Sequence, residues 1–67
     1  MDHVYKTIEI TGTSHNSAEE AIRTAVAKAA ETVKHMRWFK VTEIRGNLRD
    51  GKIDYWQVTV DIGFTLE

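Results

Sequence analysis

Trp38, Gln57 and Arg45 are the side chains in this sequence best suited to hold a small molecule. An indole is a flat stacking surface, and a primary amide presents one acceptor and two donors in a plane. A guanidinium is a rigid fork of donors that grips a phosphate. Together they suit a planar heteroaromatic ligand with an imide-like edge: the ring stacks on Trp38, the edge pairs with Gln57, and Arg45 holds a phosphate. Tyr55 and Thr59 share the parity of Gln57 on the same strand. Each residue also has a plainer role. A tryptophan in a small domain is more often packing than platform, Gln57 suits a solvated strand position, and Arg45 beside Glu43 suits a surface ion pair worth little. Sets for catalysis are missing, since no carboxylate pair, Ser-His-Asp arrangement, phosphate loop or Gly-x-Gly-x-x-Gly can be written. His3, His15 and His35 lack ligand-like spacing and there is no cysteine, so the sequence indicates no metal site.

The elements that must position these groups follow from periodicity. Residues 4 to 11 alternate, with Val4, Ile8 and Ile10 on one face and Tyr5, Thr7, Glu9 and Thr11 on the other, which predicts a strand that Gly12 ends. Lys6 interrupts the apolar face and can lay its stem along the sheet. Thr13 to Asn16 are turn formers. Ser17-Ala18-Glu19-Glu20 matches a capping box, in which the Ser17 hydroxyl accepts from the Glu20 amide and the Glu20 carboxylate reaches back. A helix is expected from about residue 17 to about residue 35, with Ala18, Ala21, Ile22, Ala25, Ala29, Val33 and Met36 on its apolar stripe. Lys34, His35 and Arg37 then fall near its end, where cations suit the dipole.

A second strand is expected over 38 to 48. Phe39 and Val41 share one parity and Ile44 and Leu48 the other, so a bulge near Thr42 or Glu43 is required to keep them on one face. Asp50-Gly51 signals a tight hairpin turn. A third strand from Ile53 to Leu66 places Trp56, Val58, Val60, Ile62, Phe64 and Leu66 on one face, and Tyr55, Gln57, Thr59, Asp61, Gly63 and Thr65 on the other. The order is β-α-β-β, an α+β fold with a three-stranded antiparallel sheet on one helix. Neighbouring strand residues point to opposite faces. If Phe39 faces the helix, Trp38 faces away and needs a subunit, a flat ligand, or both.

The 67 residues make one domain, 1–67. Such a chain buries roughly 60% of its unfolded surface and is marginal alone. With no disulfide available, and an alanine-rich helix face that buries little area, self-association is the remaining support. Nine basic and ten acidic side chains nearly cancel, which gives no electrostatic footprint for nucleic acid. No apolar run reaches membrane-spanning length, and no secretory leader pattern opens the chain. The lack of cysteine fits a reducing, cytoplasmic setting.

Gly12-Thr13-Ser14, the alanine-rich helix, Trp38-Phe39-x-Val41, Ile44-Arg45-Gly46, Gln57-Val58 and Gly63-Phe64-x-Leu66-Glu67 closely resemble the dodecin family at matching spacing over nearly the whole chain. The resemblance implies a sheet wrapped partly around the helix and a hollow homododecamer. It implies flavin pairs (FMN, riboflavin or FAD) bound at subunit interfaces, sandwiched between tryptophans at the position of Trp38. Gln57 would bond the pyrimidine edge and Arg45 would help hold the flavin phosphate. The implied role is flavin storage and quenching without substrate turnover, and coenzyme A enters as a second candidate ligand on the same ground. Arg37 and Lys40 stand where bacterial members as a rule carry acidic residues. They motivate an alternative, a structural or partner-binding oligomer that has lost flavin affinity.

Overall fold

The computed structural model describes residues 2–66. Strand β1 (Tyr5–Ser14), helix α1 (Ala18–Ala29), strand β2 (Met36–Arg49) and strand β3 (Lys52–Thr65) follow in that order. The sheet is antiparallel throughout, ordered β1-β3-β2, so β3 is the central strand. The fold is therefore β-α-β-β with a three-stranded antiparallel sheet and one helix, as the alternation predicts.

Three boundaries differ from the sequence reading. Gly12 does not end β1, which continues to Ser14 with Gly12 opposite Val58. An added Cβ at Gly12 would collide with the Ala21 carbonyl oxygen and lie 2.9 Å from Ala25 Cβ. This glycine is a place where the helix meets the strand backbone, not a stop. The helix ends at Ala29, six residues early, where the amides of Glu31 and Thr32 turn back to Lys28 O and Ala29 O in tighter i→i−3 bonds. Lys34, His35 and Arg37 consequently lie beyond the helix and leave Lys28 as the basic residue of its last turn. His35 adopts φ 64° as the chain turns, and β2 then begins at Met36.

The bulge expected near Thr42 is present. Val41 pairs with Val60 and Glu43 with Thr59, so Thr42 is the extra residue, and its hydroxyl donates to Thr59 O at 3.2 Å. Two more register shifts, between Met36 and Trp38 and between Asn47 and Leu48, were not read from the sequence. Asp50 and Gly51 both have positive φ, the type I′ geometry whose twist matches the hairpin.

The core lies between α1 and the inner faces of β1 and β3. Ala21, Ala25 and Ala29 pack a smooth ridge toward Val58, Val60 and Ile62, with Ile8, Ile10, Ile22 and Val26 around them. Val26 joins this cluster although it was absent from the expected stripe. The capping box forms by half: the Ser17 hydroxyl accepts from the Glu20 amide at 3.0 Å. The Glu20 carboxylate does not return to Ser17. It accepts from the Ser14 hydroxyl at 2.9 Å and from Asn16 Nδ2 at 3.0 Å, while Ser14 Oγ accepts the Asn16 amide at 2.9 Å. Ser14 is itself buried, while Asn16 and Glu20 stay exposed, so this polar junction between strand and helix is half-buried.

Replacing Ser14 by alanine leaves the Asn16 amide and the Glu20 carboxylate short of a partner. A loss of about 1–2 kcal/mol in chemical denaturation is expected, with the fold unchanged by circular dichroism. Gly12→Ala is expected to cost about 1–3 kcal/mol, because the helix must back away from β1.

Candidate functional site

The outer face of the sheet, opposite α1, is built by the register. From one end to the other it carries Tyr5 and Thr65, then Thr7, Gly63 and Trp38, then Glu9, Asp61 and Lys40. Beyond them come Thr11, Thr59 and Glu43, and finally Thr13, Gln57 and Arg45. Trp38 is opposite Gly63, and the indole lies against it. A Cβ built on Gly63 would fall inside the indole, with Nε1 at 2.6 Å. Gly63 is buried for this reason, and Trp38 remains 40% exposed on its other side. The Tyr5 ring meets the indole edge-on, with centroids 6.0 Å apart and an interplanar angle of 61°. Such edge contacts fix ring orientation and contribute about 0.5–1.5 kcal/mol. The result is a braced aromatic platform with one free face.

Gln57 and Arg45 are direct cross-strand partners near the other end of the sheet. With Gly46, Asn47 and Tyr55 they line a cavity of about 250 Å³. Arg45 makes a loose ion pair with Glu43, Nη1 to Oε1 at 4.0 Å, between two exposed side chains. Asn47 Nδ2 reaches Asp54 Oδ2 at 3.4 Å, and Tyr55 packs edge-on against His15 at 5.9 Å. This pocket is polar where the Trp38 platform is aromatic.

The two subsites share a face but not a location. Gly63, under the indole, is six residues along β3 from Gln57, about 20 Å in an extended strand. No single tricyclic ring spans that distance. A ligand stacked on Trp38 and bonded to Gln57 must take the two from different protomers. Sequence parity put both residues on one face and could not supply this separation.

Other groups were missed. Tyr5 appeared only as an outward strand residue, and Asn47 was not singled out. Gly63 carried a usable signal, because a glycine in the middle of an otherwise regular central strand marks the close approach of another group. Exposed aliphatic surface lies elsewhere than expected. Phe39, Val41 and Ile44 sit on the helix side of β2, opposite Ile62, Val60 and Val58, yet α1 packs over β1 and β3 and leaves them open, Phe39 at 54%. An apolar groove lined by Ile22, Val26, Ala27 and Phe39 runs between the helix and β2. No group of acidic or histidine side chains among the described residues is arranged to hold a metal ion, and no helix there is long and apolar enough to cross a membrane.

A short α+β chain with open apolar flanks and an exposed aromatic platform has the form of a small binding protein. The chain belongs to the dodecin family, small oligomeric flavin-binding proteins, whose family model matches residues 4–67. A curated dodecin from Thermus thermophilus is 43% identical over 67 residues, covering 100% of this chain and 97% of that protein. The solved dodecin from Streptomyces coelicolor superposes with a TM-score of 0.92 at 41% identity, covering 98% of this chain and 94% of that one. That from Streptomyces davaonensis gives 0.92 at 42% identity, over 100% and 98%.

Replacing Gly63 by alanine places a methyl group where the indole now lies. Trp38 should swing off the sheet and become markedly more accessible to acrylamide quenching, measured in a Trp56→Phe background so that one indole reports. Unchanged accessibility would mean that the platform does not depend on this glycine.

Proposed function

We propose that this protein is a flavin-sequestering homododecamer that stacks FMN, riboflavin or FAD in pairs between Trp38 indoles of symmetry-related protomers, and that it acts by binding rather than by turnover. The observation that carries the proposal is the Trp38 indole, held flat on Gly63 and braced by Tyr5 with its outer face uncovered. A flat aromatic ligand fits that surface without any further shaping of the protomer. Flavin rings in contact with an electron-rich indole lose their fluorescence, so the same geometry would darken and protect the bound flavin.

Assembly is supported by the shape of the protomer. Its radius of gyration is 13.8 Å, whereas a compact chain of this length has about 11 Å. Its accessible surface is 5040 Å², against about 4,300 Å² for a typical folded monomer of this mass. The excess is close to the roughly 800 Å² that each partner buries in a standard interface. The apolar groove along α1 and β2 offers the surface that such contacts would remove from water, and β2 adds an unpaired sheet edge. The 20 Å between Trp38 and Gln57 fits the same proposal, because neighbouring protomers would bring the two half-sites together.

Titration of FMN or riboflavin with the protein should abolish most of the flavin emission at about one flavin per chain, as a symmetric assembly with equivalent sites requires. Trp38→Ala should restore emission and weaken binding roughly 5- to 150-fold, the loss of about 1–3 kcal/mol of ring stacking. A colourless assembly that leaves flavin emission unchanged at micromolar protein would instead indicate a structural or partner-binding oligomer.

A further inference from the structure

We propose that Lys40 is a specificity-determining residue whose ammonium holds the phosphate of a flavin nucleotide stacked on Trp38, so that the site prefers FMN to riboflavin. This rests on the flavin-binding reading above. Trp38, Phe39, Lys40 and Val41 pair with Gly63, Ile62, Asp61 and Val60 without a register shift. That regular stretch returns Lys40 to the outer face, about 7 Å from Trp38 along β2. Among the described residues of the outer face the other cation is Arg45, which lies opposite Gln57 toward the far end of the sheet. Arg37 directly precedes the indole, but it falls in the register shift and lines a cavity on the helix side with Val26, Phe39 and Ile62.

The ammonium is unpaired. Asp61 stands opposite Lys40, with Glu9 beyond it. Yet Lys40 makes no ion pair and no side-chain hydrogen bond among the described residues. Arg45, by contrast, is drawn to Glu43 at 4.0 Å. Lys40 is exposed on an edge strand, so its flexible four-carbon stem is free to swing from the carboxylates toward whatever covers the indole. FMN carries its phosphate on a flexible ribityl chain, and a phosphomonoester brings about −1.5 to −2 charges at pH 7. Lys40 is the outer-face cation beside a ring placed on Trp38. Asp61 and Glu9 repel the same phosphate, and with the lysine removed this side of the platform is purely acidic. Lys40 therefore sets the sign of the discrimination. With it the phosphate is attracted, and without it the unphosphorylated flavin has the advantage.

Affinities for FMN and riboflavin are compared by fluorescence quenching on the assembled protein, for the wild type, Lys40→Met, Lys40→Arg, Lys40→Glu and Arg37→Met. The wild type should bind FMN more tightly than riboflavin by roughly fivefold or more, the scale of one charged hydrogen bond reduced by exposure. Raising the ionic strength from about 0.01 to 1 M shortens the Debye length from about 30 to 3 Å and should erase most of that preference. Lys40→Met should abolish the preference, Lys40→Glu should invert it and Lys40→Arg should keep it, with riboflavin affinity unchanged throughout. Arg37→Met should retain the wild-type ratio. Riboflavin binding reports that each variant still folds and assembles, and Lys40→Gln replaces Lys40→Met if the latter does not. Equal wild-type affinities for the two flavins, or a preference that survives neutralisation of Lys40, would overturn the inference and leave the flavin site standing. An equal loss of preference in Arg37→Met would mean a diffuse field of the basic flank and would overturn it as well. A wild-type protein that binds neither flavin would overturn both the inference and the flavin proposal.

Discussion

A helix of twelve residues is about 18 Å long, and a strand of fourteen residues is about 46 Å long. One cannot cover the other. The molecule measures 52 × 20 × 13 Å because the β2–β3 hairpin runs past both its helix and its shorter neighbour β1. The mismatch is sharpened by composition. An alanine ridge lets α1 sit close to β1, with Gly12 removing the last obstacle, but it draws the helix toward that side and away from β2. Burial is therefore concentrated in three alanines and three branched residues of the central strand. Phe39, Ile44, Leu48 and Ile53 are left with most of their surface in water, Leu48 at 70%, and Val41 with more than a third of its own. At roughly 25 cal/mol per Å² of apolar area, covering such side chains stabilises by more than any single polar contact within the protomer. The proposed assembly would therefore complete the core and not merely add to it.

The outer face obeys a different rule. Its centre is a polar row in which Glu9 and Asp61 lie directly opposite with Lys40 on the far flank. Like charges across a strand pair are mildly unfavourable, and the lysine on the other side offsets part of that. This row holds the aromatic end apart from the amide-and-guanidinium end. The exposed indole and the amide-guanidinium pair consequently occupy different places on one sheet. A small protein with no deep cavity gains a large contact surface in this way, provided that several copies meet.

Much of this could be read from residue order alone, for reasons tied to the period of two. The alternation in β3 is clean, so its inner and outer sets are unambiguous. The change of parity between Val41 and Ile44 forced a bulge, and Thr42 is where it falls. Asp-Gly at 50–51 specified the turn. The end of the helix was not legible, because Val33 and Met36 continue the three- and four-residue spacing after the helix has stopped. Thr32 and Val33 are β-branched, and the chain leaves the helix through tighter turns before His35 reverses it. Gly12 read as a terminator because punctuation and close packing leave the same mark in a sequence. The separation of Trp38 from Gln57 was beyond reach for a deeper reason. Parity assigns a face, whereas distance along the sheet depends on register, which the turn and the two shifts between it and Trp38 set together.

The Ser14 hydroxyl has a bearing on how the chain finds this arrangement. It belongs to the last residue of an edge strand, yet it donates to the carboxylate that opens the helix and accepts from the linking backbone. Sliding β1 by a single position would carry Ser14 to the opposite face and tear out the helix cap in the same motion. Strand alignment and helix initiation are in this sense linked through two residues six apart in the chain. The protomer thus carries within itself the contact that fixes the alignment of β1.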